Sequence, residues 1–426
     1  MNSIKIGLLG CGTVGCGTYH ILKDRATHIE NLVGVKAEIV KIFDRDICRV
    51  REGIDQDLFT DAVQDVLDDP DISIVIEVIG GVDDAYTYIK RALQNKKSVV
   101  TANKDLLSLH GLELLTIAQE NNRDLMYEAS VCGGIPIIGS LKRSLQANRF
   151  TRIMGILNGT TNYILTKMYQ ENLEYQDVLA EAQALGYAEA DPTGDVEGLD
   201  AARKLAILSS LAFKCNVTLD DVHCEGISKI SKQDIAYAKE FGYVIKLLGA
   251  AECENNQLDT KVFPALVPTS HPIASVNDVF NCVYLVGDSV GEVMLYGKGA
   301  GACPTGSAVV GDVIEVLQNI HTKSKNHAYP LYVDEVQHHS HLNSHARFYL
   351  RLTVKDQCGT LAHYTSILAK YQISVKSITQ NKWDNQSAEI VIITQRVKER
   401  NMSDCLAELA DVDVVHSIES VLRVIE

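Results

Sequence analysis

The length and composition are those of a soluble protein with more than one domain. The chain has 426 residues, 46% of them hydrophobic and 22% charged, and its formal net charge is −15. At roughly 150 residues per domain, this length suggests two to four domains. The acidic balance argues against a nucleic-acid surface or a basic membrane-binding face, so we expect neither partner.

The N-terminus and the cysteines favour a cytoplasmic location. Residues 1–6 lead directly into an apolar strand, without the basic region and apolar run of a signal peptide. No apolar run is long enough to span a bilayer. The 11 cysteines contain no CxxC pair, a pattern typical of free thiols in a reducing compartment.

The first third of the chain alternates strands and helices. Apolar runs predict strands at 4–9, 38–43, 72–79 and 98–101, with helices at about 13–24 and 83–95. Strands that alternate with helices indicate an α/β fold with a doubly wound parallel sheet.

A glycine-rich turn follows the first predicted strand. Residues 10–15 fit the pattern GxGxxG through Gly10, Gly12 and Gly15, and Thr13 and Val14 begin the helix. The first glycine permits the tight turn, the second lets a pyrophosphate approach, and the third lets helix and strand pack closely. The turn therefore predicts a Rossmann-type dinucleotide-binding domain.

The end of the second strand bears on the choice of cofactor. An acid at this place accepts from the adenosine ribose, whereas an arginine binds a 2′-phosphate. The sequence has both, Asp44 and Arg45, in adjacent positions. The cofactor is therefore NAD or NADP.

The rest of the chain has a different pattern. Helices are expected at 137–147, 160–172, 174–185 and 200–213, and strands at 243–250, 261–267 and 282–286, which suggests a mixed α+β domain. Residues 321–345 are polar and rich in histidine and resemble a linker, with a weak case for a metal site. Residues 346–426 have the order βαββαβ of a ferredoxin-like unit.

An acidic loop followed by a helix is the most informative segment. Asp200 and Lys204 are four residues apart and share one helix face. A lysine beside a carboxylate can move a hydroxyl proton while a nicotinamide takes the hydride. An ordinary surface ion pair has the same spacing.

The segment 182–204 resembles the signature of homoserine dehydrogenases. Ala182, Gly186, Asp191-Pro192, Asp195-Val196, Gly198, Asp200 and Lys204 meet every position of the family pattern A-x3-G, D-P, D-aliphatic-x-G-x-D-x3-K. The segments 101–104, 127–131, 155–162 and 299–305 also agree. The resemblance covers residues 1–320 and implies reversible, NAD(P)-dependent interconversion of L-homoserine and L-aspartate 4-semialdehyde, a step of threonine and methionine biosynthesis.

The resemblance also implies roles for individual residues. Lys204 is then the acid/base residue, with Asp200 beside it, and Lys104 is a second lysine near the nicotinamide. Glu189 and Asp195 bind the substrate ammonium. The glycines, Thr13 and Val14 contact the dinucleotide, and Gly301 lies in a loop that returns to it.

The family has a site for a monovalent cation such as sodium. The matching positions are Glu128, Val131, Gly133 and Ile135, which supply one carboxylate and backbone carbonyls. Oxygen ligands suit a hard cation. The alternative is a tight turn held by its own hydrogen bonds. Cys132, where the family pattern has small residues, lies inside this turn.

The C-terminal tail resembles an ACT domain, a fold that often binds amino acids between two copies. Gly359 permits a close turn and exposes N–H groups that can receive a carboxylate, Asp356 can hold an ammonium group, and Leu361 follows in the same segment. Threonine is the expected effector. The alternative is a domain that only helps assembly.

The sequence pattern and the resemblance together predict four parts of the chain. They are a dinucleotide-binding domain (1–130, with 301–320 returning to it), a catalytic and dimerisation domain (131–300), a linker (321–345) and an ACT regulatory domain (346–426). We expect a homodimer or a tetramer. The alternative functions are a catalytically silent amino-acid sensor and an aspartate-semialdehyde dehydrogenase, which needs a thiolate nucleophile.

Overall fold

The computed structural model describes residues 3–324, 336–382 and 387–426. The chain divides into two compact units that alternate along the sequence. The first unit contains Met1–Thr151, Arg203–Asp221 and Asn281–Val336, and the second contains Arg152–Ala202, Val222–Phe280 and Gln337–Glu426. The predicted four-part division stays a prediction.

The N-terminal third contains short strands and the helices between them. The strands are β1 (Ser3–Leu9), β2 (Lys36–Phe43), β3 (Phe59–Thr60), β4 (Ile72–Glu77), β5 (Ser98–Thr101) and β6 (Leu125–Met126). The helices are α1 (Thr13–Asp24), α2 (Ala26–Val33), α3 (Gln64–Leu67), α4 (Asp83–Gln94), α5 (Lys104–Glu120) and α6 (Ile137–Gly139). Where one helix was expected over 137–147, α6 is a single turn that widens into a π-helix at Ser140–Ser144.

The middle of the chain contains longer helices and a strand hairpin. The strands are β7 (Phe150–Ile156), β8 (His223–Cys224), β9 (Tyr243–Glu254) and β10 (Gln257–Pro268). The helices are α7 (Gly159–Glu171), α8 (Tyr175–Ala184), α9 (Thr193–Val196), α10 (Leu199–Phe213) and α11 (Lys232–Glu240).

The last third begins with a second hairpin and a long helix, and ends in a βαββαβ segment. Its strands are β11 (Phe280–Gly287), β12 (Gly291–Lys298), β13 (Gln337–His338), β14 (His345–Lys355), β15 (Val375–Lys382), β16 (Ser387–Thr394), β17 (Val397–Lys398) and β18 (Val415–Val424). Its helices are α12 (Ala302–Thr322), α13 (Thr360–Lys370) and α14 (Glu399–Ala410). The predicted linker 321–345 therefore contains a helix end and β13.

The first unit contains the parallel sheet that the sequence predicts. Its strand order is β3-β2-β1-β4-β5-β6, and the paired strands are parallel. Neighbouring residues of β1 enter different cores: Leu8 packs in a cluster with α1 and α12, and Leu9 in one with α4 and α5. Helices therefore cover both faces of the sheet, which is the doubly wound arrangement.

Two glycines let α12 lie directly on α1. A Cβ at Gly17 would lie 2.4 Å from the Ala302 carbonyl oxygen, and one at Gly306 would lie 3.0 Å from the backbone of Gly17. This contact brings the start of α12, next to Gly301, to the helix that begins at the glycine-rich turn.

The second unit contains a mixed sheet that continues into the C-terminal segment. Its strand order is β7-β9-β10-β18-β14-β16-β15. The pair β9–β10 is antiparallel along its whole length, while β10 and β18 are parallel, with Ala265 opposite Arg423. The last strand of the chain is thus part of the same sheet as β10. Within the described residues, no helix is both long and apolar enough to cross a membrane.

The α1–α12 contact predicts a cost for any side chain at Gly17. Gly17→Ala should destabilise the protein by about 1–3 kcal/mol, because the added methyl group collides with a backbone carbonyl. The control is Gly111→Ala in α5, where the nearest heavy atom would be 3.9 Å from the new Cβ. Thermal unfolding of both variants checks this, and an unchanged midpoint for Gly17→Ala would contradict the close contact.

Candidate active site

The glycine-rich turn has a separate steric reason for each glycine. Gly10 has φ +93°, and a Cβ there would lie 2.8 Å from the Val78 carbonyl oxygen. A Cβ at Gly15 would lie 2.2 Å from the Gly10 carbonyl oxygen, whereas one at Gly12 would meet nothing within 4 Å. Gly12 is the N-cap of α1 and offers no side chain to its first N–H groups. The turn therefore leaves open space at the helix start that suits a pyrophosphate.

Asp44 and Arg45 differ in their surroundings. Asp44 accepts from the Cys11 N–H (2.8 Å) and pairs with the buried guanidinium of Arg51 (2.8 Å). The same guanidinium donates to the Cys11 carbonyl (2.8 Å). Arg45 is exposed and pairs with Asp84. Arg51 was missed by the sequence reasoning, because no local pattern links a loop residue to the turn it holds.

A buried hydrogen-bond network fixes the start of α5, where Lys104 lies. The Thr101 hydroxyl donates to Glu77 (2.6 Å) and accepts from the Asn103 N–H (3.0 Å). Asn103 caps α5 and donates to the Gly81 carbonyl (2.7 Å). Burial raises the pKa of Glu77, although its hydrogen bond from Thr101 lowers it. The segment 101–104 is therefore a rigid support for Lys104.

An ion pair in the first unit joins the residues next to Lys104 and Lys204. Asp105, next to Lys104, pairs with Arg203, next to Lys204, at 3.0 Å. Asp105 is also 3.9 Å from the Lys104 ammonium. The pair holds the backbone before Lys204 to the backbone after Lys104.

Asn158 joins two of the predicted acidic residues in the second unit. Its side-chain amide donates to Asp195 (2.7 Å) and to Asp200 (2.9 Å). Its amide oxygen caps α7 by accepting from the Thr161 N–H (2.9 Å). Asparagine before a helix predicts the cap, but not the contact with two carboxylates. Glu189 lies on the exposed loop before α9, where its carbonyl accepts from Gln183.

The turn proposed for a cation is built around a buried carboxylate. Glu128 accepts from the N–H groups of Ile138 (2.8 Å) and Gly139 (2.6 Å). Burial raises its pKa, and these two bonds lower it. The Ile135 carbonyl already accepts from Ile137 (2.8 Å). A Cβ at Gly133 would lie 2.8 Å from the Gly299 carbonyl oxygen.

Asp312 of α12 forms a hydrogen bond with the same turn. Its carboxylate accepts from the Glu128 N–H at 2.8 Å. Burial raises the pKa of Asp312 to about 7. Glu128, Gly133 and Asp312 all line an open pocket of the first unit, together with Arg143 and Glu315. The turn is thus oxygen-rich and acidic.

The predicted regulatory segment forms the start of α13. Gly359 is its N-cap with φ +93°, Asp356 is exposed, and Leu361 is half exposed at 50%. The hydroxyl groups of Thr360 and Tyr364 are buried, and neither has a hydrogen-bond partner among the residues that the structure describes. Burial raises the pKa of Tyr364 to about 12, so its hydroxyl remains a donor.

The histidine-rich stretch forms no metal centre in the part of the chain that the structure describes, where no group of three or more His, Cys, Asp or Glu could hold an ion. His341 instead stacks on His223 with ring centroids 3.7 Å apart. His327 lies outside the described residues.

Similarity to known proteins extends along the whole chain. The family model described as the homoserine dehydrogenase NAD binding domain matches residues 10–128, and the homoserine dehydrogenase model matches residues 136–314. The homoserine dehydrogenase of Bacillus subtilis is 45% identical over 100% of this chain and 99% of that protein.

Solved structures agree with these matches. A homoserine dehydrogenase from Thiobacillus denitrificans has a TM-score of 0.95 and 39% identity, covering 100% of this chain and 99% of that one. A hyperthermophilic archaeal homoserine dehydrogenase in complex with NADPH has a TM-score of 0.63 and 26% identity, covering 74% of this chain and 98% of that one. The chain therefore belongs to the homoserine dehydrogenase family and is an NAD(P)-dependent oxidoreductase.

Proposed function

We propose that the enzyme interconverts L-homoserine and L-aspartate 4-semialdehyde through Lys204, Asp200 and Lys104, in threonine and methionine biosynthesis. The observation that carries the residue assignment is the hydrogen-bonded group of Asn158, Asp195 and Asp200, one helical turn before Lys204. Membership of the homoserine dehydrogenase family argues against both alternative functions, the catalytically silent sensor and the aspartate-semialdehyde dehydrogenase.

The chemistry requires one proton and one hydride to leave homoserine. When bound, oxidised NAD(P) supplies the hydride acceptor for the carbon that bears the hydroxyl. Lys204 takes the hydroxyl proton in this direction and returns it in the other. Asp200, one turn earlier on the same helix face, stabilises the ammonium that Lys204 becomes. Lys104 stabilises the developing charge on the oxygen.

The carboxylates of Glu189 and Asp195 bind the substrate ammonium. Charge-assisted hydrogen bonds to carboxylates are the usual means of holding an ammonium group. Asn158 orients Asp195 for this purpose, because its amide fixes one carboxylate oxygen at 2.7 Å.

The turn of Gly10, Gly12 and Gly15, together with Thr13, Val14 and Gly301, would hold the dinucleotide. The proposal covers both NAD and NADP, because Asp44 can accept from a ribose and Arg45 can leave Asp84 for a 2′-phosphate. Arg51 offsets the charge of Asp44 in either case, because the two are paired at 2.8 Å.

A sodium ion at the turn of Glu128, Val131, Gly133 and Ile135 is part of the proposal. The buried Glu128 carboxylate fits a cation, because burial disfavours its charge. Its two N–H partners leave further lone pairs on the carboxylate oxygens. Bound there, the cation would stabilise the turn.

The proposed assembly is a homodimer or a tetramer, because closed symmetric oligomers are the common form for soluble enzymes.

An activity assay tests the substrate, the cofactor and the cation together. Reduced nicotinamide should form from L-homoserine with NAD⁺ or NADP⁺, and the rate should fall when choline chloride replaces sodium chloride at equal ionic strength. Absence of turnover with both cofactors would overturn the proposed function. An unchanged rate in choline would overturn the sodium site alone.

Lys204→Ala should lower turnover by about 10²–10⁴-fold, since it removes the acid/base group. The KM of the cofactor should stay within about twofold of the wild-type value, because a lost acid/base group acts on the chemical step. Lys229→Ala, at an exposed lysine of the second unit, is the control. Near-normal turnover in a folded Lys204→Ala protein would contradict the assignment.

We propose further that the C-terminal βαββαβ segment is an ACT domain that binds threonine at the start of α13. The N–H groups after Gly359 would receive the carboxylate, and Asp356 the ammonium. The buried hydroxyl groups of Thr360 and Tyr364 support this, because buried polar groups normally have partners. Leu361 lies at the exposed rim. Inhibition requires that threonine favour one arrangement of the enzyme over another.

Thr360→Val should raise the threonine concentration for half-inhibition roughly tenfold. The substitution removes a hydroxyl group that would bind the ligand, and valine is similar in size to threonine. Thr365→Val, on the same helix, removes a hydroxyl that is bonded to the Leu361 carbonyl and is the control. Activity titrations of the wild type and both variants decide. Unchanged inhibition in Thr360→Val would place threonine elsewhere, and no binding by calorimetry would leave the segment an assembly domain.

A further inference from the structure

We propose that Glu225 and Arg423 form a positioning contact between the last strand of the chain and the segment 193–198, which contains Asp195. This segment is called the substrate loop. Arg423 lies on β18, and 8% of its side chain is exposed. It donates through Nε and Nη2 to Glu399 (2.9 and 2.6 Å) and through Nη1 to Glu225 (2.9 Å). Its guanidinium also lies 4.9 Å from the Phe263 ring centroid. The guanidinium therefore has one fixed geometry.

Glu225 connects Arg423 to the part of the second unit that contains Asp195. Its N–H donates to the Val262 carbonyl (2.8 Å), which extends the short β8–β10 pairing by one bond. The carboxylate also pairs with His223 at 2.8 Å. Although burial raises the pKa of Glu225, His223 and Arg423 lower it overall, so the group is ionised at neutral pH. Glu225 thus has a fixed backbone and a charged side chain.

The residues around Glu225 lie directly on the end of the substrate loop. The Cys224 thiol donates to the Glu197 carbonyl (3.2 Å), and the Ile227 N–H donates to the Val196 carbonyl (2.8 Å). Between them, a Cβ at Gly226 would lie 2.5 Å from the Val196 carbonyl oxygen. Two segments in such contact move together.

The loop held in this way carries the proposed substrate ligand. Val196 ends the single turn of α9 and directly follows Asp195, whose carboxylate Asn158 fixes against Asp200. The chain of contacts therefore runs from Arg423 to Glu225, through the segment 224–227 to the segment 196–197, and ends at Asp195. Glu225 touches no reacting atom in this scheme and acts only by placing Asp195.

This inference rests on the proposed role of Asp195, and it gives the C-terminal segment a physical means to alter homoserine binding. If an effector shifted β18, the Arg423 guanidinium would pull on Glu225 and change the position of the loop. Coupling of this kind needs a contiguous set of contacts with more than one arrangement. The contacts from β18 to α9 are contiguous.

Glu225→Gln is the decisive variant, because glutamine keeps an acceptor for Arg423 and removes the charge. We expect the KM of homoserine to rise about tenfold, the equivalent of about 1.4 kcal/mol. kcat and the cofactor KM should stay within about twofold, and the unfolding midpoint should be close to that of the wild type. Arg423→Lys, which keeps the charge and loses the fork, should raise the same KM, and the double variant should be less than additive.

Glu252→Gln is the matched control, since Glu252 forms an exposed pair with Arg152 on neighbouring strands of the same sheet. It should leave the KM of homoserine unchanged. An unchanged KM in Glu225→Gln, an equal rise in the control, or an equal rise in the cofactor KM would overturn the positioning role. Asp195→Asn separates the two hypotheses: no effect there overturns the proposed substrate role of Asp195, whereas an effect there with none in Glu225→Gln overturns only the positioning role.

Discussion

In the proposed substrate half of the site, one amide group lies between two carboxylates and organises the segments around it. Asp195 and Asp200 both accept from the Asn158 side chain. Two carboxylates that share one donor repel each other, and the hydrogen bonds offset part of this repulsion; Asp200 is also largely buried, with 9% exposed. Asn158 is itself held, since its amide oxygen caps α7. The strand β7, the helix α7 and the loop before α10 therefore meet at one side chain.

In the cofactor half, one carboxylate and one guanidinium hold a single backbone position. The backbone of Cys11 is held on both sides, because its N–H donates to Asp44 and its carbonyl accepts from Arg51. Asp44 and Arg51 also pair with each other. A turn whose donors and acceptors are fixed before the ligand arrives loses less entropy on binding. The three glycines permit the conformation of the turn, and the Asp44–Arg51 pair stabilises that conformation.

The sequence predicted features that depend on neighbouring residues better than features that depend on distant ones. The β1–turn–α1 unit and the long helix α10 follow from local glycine and apolar patterns, and both were expected within about one residue of their observed bounds. The Arg51–Asp44 pair has no local signature. The Arg423–Glu225 bond joins residues 198 apart, so no periodicity indicates it. The π-helix after Gly139 was also missed, because apolar spacing alone does not distinguish it from an α-helix.

Buried ionic groups explain why the C-terminal segment is part of the second unit and is not merely attached to it. Arg351 of β14 donates to Asp234 of α11 (2.8 Å) and to Glu389 of β16 (2.9 Å), and Asp234 is fully buried. A buried ion pair adds little net stability compared with apolar side chains, but the loss of one partner costs about 3–5 kcal/mol. The buried ionic group therefore favours the one arrangement of β14, β16 and α11 in which every charge is paired, because any other arrangement leaves a buried charge without its partner. A displacement of β14 or β18 would therefore also affect α11 and the segment at Glu225, because separating the charged partners in the interior has a large free-energy cost.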